Sequence, residues 1–348
     1  RAGRPVDLPP LPVDYGDYAR WQRQQFDRGR FEAGLEYWRR KLTGVPALRL
    51  PTDRPYPAAQ TVNGASHVFR IDAELCQAVE RLGRTHRATS FMTFLAAFET
   101  LLAWWCDQDD FGVGVPVSGR DLPEIEPLVG LFVNTLVFRA DVSGDPTFRD
   151  LLLRVRREAV ESFAHQQVPF ERVVSELPLD RDVRRPPVFQ VSFAMQNYIP
   201  ERARMAGEPG SLTVAPFGID TPVTRHELVL YLYPEGDELS GVVNYNTDLF
   251  DEATIATLFE RYVALLRQVV ADPDIRLSDL DLLTEAEYAT LRRFGDGEPE
   301  AGPAPSWRLL TDPFDEWVAR TPDAPAVVGD GQQLSYRELA DRADALAR

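Results

Sequence analysis

The stretch SFMTFLAAFETLLAWWCDQDDFGVGVPV, residues 90–117, decides the fold of this chain. Ser90 stands where a helix would be capped, and bulky apolar side chains then recur at helical spacing as far as Trp105. Residues 111–117 follow as a short apolar run of the kind that forms a buried strand. A helix with one continuous apolar face beside a buried strand predicts a sheet on which helices pack.

The flanking segments extend this mixture of helices and strands. Further helices are predicted over 14–28, 30–42 and 73–86, the last capped by Asp72, and from near Thr147 and after Asp251. Strands are predicted at 66–71, 132–138, 188–194, 227–232 and 239–245. Because these elements do not alternate strictly, we expect an α+β fold with a mixed sheet and helices mostly on one face.

Two segments interrupt the pattern. Residues 50–57 (LPTDRPYP) contain three prolines, which remove backbone donors and fix φ, so this segment is predicted to connect two lobes. Residues 294–305 are acidic and rich in glycine and proline, which indicates a linker.

Composition excludes several classes of function. The chain of 348 residues carries a formal charge of −16, so it would repel a nucleic acid. Its two cysteines, Cys76 and Cys106, cannot build a disulfide framework or a zinc cluster. No apolar run reaches the roughly 20 residues that span a bilayer, and a reducing cytoplasm is the expected location.

The residues alone indicate no complete active site. The four histidines, His67, His86, His165 and His226, have no second ligand at metal-binding spacing. His226 precedes Glu227, but neighbouring strand residues point to opposite faces, so we do not expect them to act together. The run at 112–116 (GVGVP) lacks the third glycine of a dinucleotide fingerprint and is interpreted as a strand.

Several segments, in order, resemble the condensation domain of nonribosomal peptide synthetases. They are 15–21 (YGDYARW), 129–136 (VGLFVNTL), 165–171 (HQQVPFE), 181–191 (RDVRRPPVFQV) and 246–250 (NTDLF). The chain departs from the family pattern where Gln167 replaces Asp, Arg184 replaces Ser, and His226-Glu227 replaces Phe-Asp. The matching motif residues are Tyr15, Asp17, Trp21, Gly130, Asn134, His165, Pro169, Phe170, Arg181, Asp182 and Arg185.

A second resemblance begins near the end of the chain. Residues 334–339 (LSYREL), with Tyr336 and Glu338, are similar to the first core motif of adenylation domains. The two resemblances together imply an elongation module. The expected organisation is the end of a condensation N-terminal lobe and the lobe connector at 1–60, the C-terminal lobe at 61–288, a linker at 289–310 and a truncated adenylation start at 311–348.

The resemblance implies a chloramphenicol-acetyltransferase-like lobe and a reaction between two carrier proteins. Donor and acceptor peptidyl carrier proteins would present thioesters on phosphopantetheine arms, and the acceptor amine would attack the donor thioester to form an amide. The lobe itself would bind no cofactor, whereas ATP and Mg²⁺ would serve a complete adenylation domain. The neighbouring N-terminal lobe and adenylation domain would be partners in the same chain, and neither nucleic acid nor membrane is expected as a partner.

The same resemblance decides which residues are expected at the site. The family's catalytic His-His-x-x-x-Asp-Gly motif is absent from this sequence, so no catalytic residue and no metal ligand is expected here. Amide and guanidinium side chains near strand ends could hold a pantetheine or aminoacyl group by hydrogen bonds. The candidates for the substrate tunnel are Asn134, Gln196, Asn197 and Arg120.

Alternative functions besides condensation were weighed. An epimerisation domain shares the fold but usually closes a module, and a heterocyclisation domain would show an Asp-rich motif in a region that this sequence lacks. The chain alone could also act without catalysis, as a docking platform for carrier proteins and an adenylation domain.

Overall fold

The computed structural model describes residues 9–178, 182–196, 222–296, 309, 311–329 and 332–347. The chain divides into two compact units, Arg1–Thr284 and Glu285–Arg348. Each unit is described by itself below.

The first unit contains a six-stranded sheet with strand order β1-β6-β5-β4-β2-β3. Its strands are β1 (Gly64–Ile71), β2 (Asp110–Val117), β3 (Asn134–Asp141), β4 (Val191–Met195), β5 (Leu228–Glu235) and β6 (Glu238–Asn246). Its helices are α1 (Tyr15–Asp27), α2 (Glu32–Leu42), α3 (Ala73–Thr85), α4 (Ser90–Cys106), α5 (Phe148–Ala164), α6 (Phe170–Glu176) and α7 (Glu252–Ala271). β4 runs parallel to both of its neighbours, and all other strand pairs of this sheet are antiparallel.

The apolar face of α4 forms the centre of the core, as the opening stretch predicts. Phe94, Phe98 and Leu101 are fully buried, and the ring of Phe98 contacts that of Phe193 on β4. The hydroxyl of Tyr262 on α7 donates a hydrogen bond to the carbonyl of Phe94 at 2.9 Å, which ties the two helices together. The predicted α+β class, with helices packed on a mixed sheet, is confirmed.

One predicted helix cap is wrong, and a second lies at the predicted residue without a capping hydrogen bond. Thr89, not Ser90, caps α4, because its hydroxyl accepts a hydrogen bond from the Met92 amide. Asp251 precedes α7 but makes no capping hydrogen bond with its side chain. The carboxylate of Asp53 binds this end of the helix, since it accepts hydrogen bonds from the Asp251 amide at 2.7 Å and the Thr254 hydroxyl at 2.9 Å.

The proline-rich segment 50–57 has no regular secondary structure, as predicted, and it is fastened to the sheet. The amides of Asp53 and Arg54 both donate to the carbonyl of Leu249, just after β6. α2 lies before this segment and shares the main core, because Phe31, Leu35 and Trp38 are buried in the same apolar cluster as the sheet. The assignment of residues 1–60 to another lobe therefore stays a prediction, although α2 packs within the first unit.

The second unit holds helices α8 (Glu285–Asp296), α9 (Asp312–Arg320) and α10 (Tyr336–Leu346) and the two-stranded sheet of β7 (Pro325–Gly329) and β8 (Gln332–Ser335). The linker predicted at 289–310 thus begins within helix α8, and most of the rest of it lies outside the described residues. Ser335 caps α10 by accepting from the Glu338 amide, while the Glu338 carboxylate accepts from the Ser335 amide. The ring of Tyr336 stacks on Trp317 with 6.1 Å between centroids.

Replacing Gly114 with alanine tests the packing of β2. A Cβ at Gly114 would overlap the ring of Phe189, so Gly114→Ala should lower the free energy of unfolding by about 1–3 kcal/mol. Urea denaturation measures this change. The double variant with Phe189→Leu should lose less stability than the sum of the two single variants, because the smaller side chain leaves room for the methyl group. Strict additivity would show that the two residues do not touch.

Candidate functional site

The candidate site lies at the sheet edge where β2 ends and β3 begins. Val117, the last residue of β2, pairs with Asn134, the first residue of β3. β4 is parallel to β2 and ends at Met195, so Gln196 lies at this same edge. Three of the predicted tunnel candidates, Arg120, Asn134 and Gln196, are therefore brought to one edge of the sheet.

The side-chain amide of Asn134 joins two sequence motifs. Its Nδ2 donates to the carbonyls of Gln166 and Val168, each at 2.8 Å. Its Oδ1 accepts from the Thr135 amide at 2.9 Å and from the Phe170 amide at 3.0 Å. All four hydrogen-bonding positions of the amide are used, so Asn134 holds the turn between α5 and α6 against the sheet.

The loop between β2 and β3, residues 118–133, is folded back on itself. Gly119 has a φ of +63°, and a Cβ there would overlap the carbonyl of Phe132. The Arg120 guanidinium lies 4.2 Å from the centre of the Phe132 ring and donates to the carbonyls of Ile125 at 2.6 Å and Glu126 at 3.1 Å. Arg120 thus closes the loop around Phe132.

Helix α1 packs onto this loop through the tyrosines of the first motif. The Tyr15 hydroxyl donates to the carbonyl of Leu131 at 2.9 Å, and the Tyr15 ring meets Phe132 edge-on at 5.3 Å. Gly130 is required at this contact, because a Cβ there would overlap the Tyr15 ring. Tyr18 contacts both Phe132 and Trp21.

These contacts enclose a cavity of about 220 Å³. Its wall includes Tyr18, Trp21 and Phe132 as aromatic residues, and Asn134 and Gln167 as amides. Segments from three motifs that are far apart in sequence therefore line one cavity. Such a wall can contact an extended organic chain by apolar packing, and the Gln167 amide can offer it hydrogen bonds.

The remaining residues of these motifs serve the fold around the cavity. Asp17 forms a capping box with Asp14 at the start of α1, and the hydrogen bond from the Asp14 amide lowers the pKa of Asp17. His165 lies at the end of α5, as predicted, where its ring stacks on Tyr37 with 4.2 Å between centroids. Pro169 precedes α6 as its N-cap residue.

The segment around Arg185 lies apart from the cavity, and parts of it cannot be described. Arg181 and the tunnel candidate Asn197 lie outside the described residues. The Asp182 carboxylate accepts from the Arg184 amide and guanidinium at 2.9–3.0 Å, so the arginine that replaces the family's serine forms a local ion pair. Arg185 stacks on the Tyr56 ring at 4.0 Å.

Sequence reasoning missed a buried contact between Tyr56 and Glu227. The Tyr56 hydroxyl donates to Oε2 of Glu227 at 2.7 Å, while Oε1 has no hydrogen-bond partner among the described residues. Burial raises the pKa of Glu227 to about 7, although the hydrogen bond and the nearby Arg185 oppose the shift. His226 lies against Phe189 and burial lowers its pKa, so the adjacent pair makes separate contacts, as expected.

Comparison with known proteins agrees with this geometry. The family model described as "Condensation domain" matches residues 1–292. The chain belongs to the condensation-domain family. Malpibaldin synthetase of Mortierella alpina is 39% identical to it over 348 residues, which cover 100% of this chain and 6% of that protein. Chondramide synthase of Chondromyces crocatus is 38% identical over 349 residues, which cover 99% of this chain and 9% of that protein.

Solved structures of condensation domains have the same fold. The X-domain from teicoplanin biosynthesis superposes with a TM-score of 0.73 at 30% identity, covering 81% of this chain and 65% of that one. The nonribosomal peptide synthetase FmoA3 superposes with a TM-score of 0.64 at 25% identity, covering 97% of this chain and 35% of that one. This chain therefore spans a small part of its synthetase relatives. Within its described residues, no helix is long and apolar enough to cross a membrane.

Removal of the Asn134 amide should loosen the turn between α5 and α6. Asn134→Ala leaves the carbonyls of Gln166 and Val168 and the amide of Phe170 without their partner, so the free energy of unfolding should fall by about 2–4 kcal/mol. Gln167→Ala, which changes the same cavity without breaking these hydrogen bonds, is the control and should stay within about 0.5 kcal/mol. Denaturant titration measures both, and equal effects would contradict the role of Asn134.

The buried carboxyl of Glu227 should make stability depend on pH. Its pKa is raised in the folded state from 4.5 to about 7, so the folded chain holds the proton that the unfolded chain releases. Stability contributed by this proton is complete below pH 4.5 and is lost as the pH rises through about 7, a fall of about 2–4 kcal/mol. Glu227→Gln should remove this component of the pH dependence of urea unfolding.

The exposed variant Glu235→Gln on the same strand, β5, is the control and should leave that pH dependence in place. An unchanged pH profile in Glu227→Gln would contradict the assignment.

Proposed function

We propose that this chain is part of an elongation module of a nonribosomal peptide synthetase, and that its first unit is the C-terminal lobe of a domain that forms amide bonds. The observation that carries the proposal is the convergence of three distant motifs on one cavity at the sheet edge. The hydrogen bonds of Asn134 and Arg120 fix this wall before any substrate arrives, and preorganised geometry is the main requirement for joining two tethered reactants.

The reaction joins an amine to a thioester. The amine nitrogen of the acceptor aminoacyl group attacks the carbonyl carbon of the donor thioester, a C–N bond forms, and the C–S bond breaks. The amine loses one proton and the departing thiolate gains one, so the step needs no external oxidant or co-reactant. Both reactants would arrive on phosphopantetheine arms of carrier proteins. We propose that these arms enter along the cavity at the sheet edge.

The proton-handling imidazole is proposed to come from sequence other than these 348 residues, which contain no His-His pair. Among the described residues that line the cavity, none is a histidine. His165 stacks on Tyr37 and His226 packs against Phe189, so both are occupied elsewhere. This chain would supply the walls and the orientation, while a lobe with the His-His motif would supply the base.

Residues 311–348 are proposed to begin an adenylation domain. The capping box of Ser335 and Glu338 and the packing of Tyr336 on Trp317 give the LSYREL segment a defined strand-to-helix structure. The FmoA3 superposition extends over these residues, since it covers 97% of this chain. An adenylation start after a condensation lobe favours an elongation module over an epimerisation domain.

Amide synthesis from two loaded carrier proteins tests the proposal. The chain alone should give no product above the uncatalysed rate, whereas the chain joined to a condensation N-terminal lobe with the His-His motif should give dipeptide, because the base and the walls are then combined. Mass spectrometry detects the product on the acceptor carrier protein. A matched version with the second His of that motif replaced by Ala serves as the control.

Product from the chain alone would overturn the placement of the base. Inversion of the donor residue without amide formation would favour the epimerisation alternative. Carrier binding by the joined protein without either reaction would favour the docking platform.

A further inference from the structure

A second cavity, of about 850 Å³, lies in the first unit beside the three-motif site. Its walls come from the loop 43–47 that follows α2, from helix α6, and from the segment 182–190 that leads to β4. Among the described residues, Glu171 at the start of α6 lines both cavities. The volume lies within the roughly 300–1,000 Å³ of pockets that hold small organic molecules.

The walls of this cavity are mostly aliphatic. Valine, leucine and proline side chains from all three segments line it, among them Val45, Pro46, Val174, Leu177, Pro186 and Val188. Apolar surface that leaves water on binding stabilises a complex. The walls therefore favour a ligand whose body is apolar.

The segment 182–190 is held in a strained conformation beside the cavity. Val188 has a φ of +71°, which β-branched residues rarely adopt. The Phe189 amide donates to the carbonyl of Pro187 at 2.9 Å, which closes a tight three-residue turn. Strain of this kind persists only where the surroundings impose it, and it is concentrated at ligand sites and other functional positions.

The side chain of Gln190 fixes this strained segment to the preceding part of the chain. Its Oε1 accepts from the Leu48 amide at 2.7 Å, and its Nε2 donates to the carbonyl of Pro186 at 3.0 Å. Gln190 is only 2% exposed, so both hydrogen bonds are shielded from water. The wall is therefore formed before a ligand arrives, which lowers the entropic cost of binding.

Arg185 is the only cation among the described residues that line this cavity. One face of its guanidinium lies 4.0 Å from the centre of the Tyr56 ring. Its Nη1 approaches the Leu48 carbonyl at 3.5 Å, and within the described part of the chain neither Nε nor Nη2 has a hydrogen-bond partner. A guanidinium has five N–H donors, so Arg185 has donors left for an acceptor in the cavity.

The carboxylates that line the cavity do not neutralise Arg185. Both oxygens of Asp182 are bound by the Arg184 side chain, at 2.9 and 3.0 Å. Two arginines and one aspartate leave one positive charge at this end of the cavity. Glu171 is exposed on α6, and no ion pair joins it to Arg185 in the described structure.

Glu227 is the other carboxyl close to Arg185, and it is neutral in weakly acidic solution. Its Oε2 accepts from the hydroxyl of Tyr56, the residue on which Arg185 stacks. Burial raises the pKa of Glu227 to about 7, with the charge of Asp182 adding to the shift and Tyr56 and Arg185 opposing it. The nearby thiol of Cys106, whose pKa burial raises to about 12, is neutral as well.

We propose that this cavity binds a small molecule that has an aliphatic body and a single carboxylate. The body lies between the loop 43–47 and α6, and the carboxylate accepts hydrogen bonds from the free donors of Arg185. The Tyr56 ring holds the guanidinium in place from its other side. Hydrogen bonds between a guanidinium and a carboxylate are among the strongest in proteins, because both partners are charged.

Calorimetric titration of the full chain with octanoate, a straight-chain carboxylate, tests this site. Below pH 7 we expect saturable binding. Octanol and octylammonium have the same alkyl chain with a neutral and a positive end, and they should bind about tenfold more weakly or less. Equal affinity for octanol and octanoate would overturn the proposal, because apolar contact alone would then account for binding.

Three variants separate this site from general adsorption of an alkyl chain. Arg185→Gln should weaken octanoate binding by about tenfold or more, because the charged donor is lost. Arg49→Gln removes the same charge from an exposed residue outside the cavity and should leave binding unchanged. Ser175→Trp should abolish binding by filling the cavity from α6, and it keeps the test decisive where Arg185→Gln does not fold. Unchanged affinity in Arg185→Gln or in Ser175→Trp would contradict the site.

The pH dependence of binding gives a second signature. Glu227 ionises as the pH rises through about 7 and then competes for the charge of Arg185, so octanoate affinity should fall severalfold. A free carboxylic acid is already ionised in this range, so the change reports on the protein. Glu227→Gln should bind octanoate without this pH dependence. An affinity that stays constant or rises with pH in the unaltered chain would overturn the pairing with Arg185.

Crystals soaked with ω-bromooctanoate locate the ligand through the anomalous scattering of bromine. The expected peak lies between the loop 43–47 and α6. A peak only in the three-motif cavity would overturn the proposal.

Discussion

The side-chain amide of Asn134 is the interaction on which the candidate site depends. It stands at the first position of β3 and fastens the turn between α5 and α6 to the sheet by four hydrogen bonds. Because both its donors and both its acceptor positions are used, it cannot bind a substrate without releasing the turn. In this structure Asn134 holds the wall of the cavity in place, and the direct tunnel contact that its residue type suggests stays a prediction.

The loop before Asn134, residues 118–133, depends on two glycines that allow close contacts. Gly119 and Gly130 leave room for the carbonyl of Phe132 and the ring of Tyr15. Phe132 is then held between Arg120 on one side and the tyrosines of α1 on the other. A larger side chain at Gly130 would displace the Tyr15 ring, and one at Gly119 would open the loop around Phe132. The first and second motifs are therefore one packing unit even though more than 100 residues separate Tyr15 and Leu131.

Sequence reasoning predicted elements better than contacts, for a physical reason. The apolar spacing of α4 and the runs of β2 and β6 report which side of each element is buried, and that information is local. Asp53 binds the start of α7 from about 200 residues earlier, and no local pattern marks that contact. Tyr56 was missed as a partner of Glu227 for the same reason, although its place in a proline-rich connector is a signal that the segment is fixed.

The two buried carboxyls, Glu99 and Glu227, show where the first unit responds to pH. Glu227 meets Tyr56 of the connector, and Glu99 lies beside Lys41 of α2, so both lie where residues 32–57 join the sheet. The core between α4 and α7 is apolar and aromatic, so pH has little effect there. Protonation instead acts on the attachment of α2 and the connector, and α2 carries the Tyr37 ring on which His165 stacks. His165 begins the turn that Asn134 fastens to the sheet, so α2 and Asn134 hold the same segment.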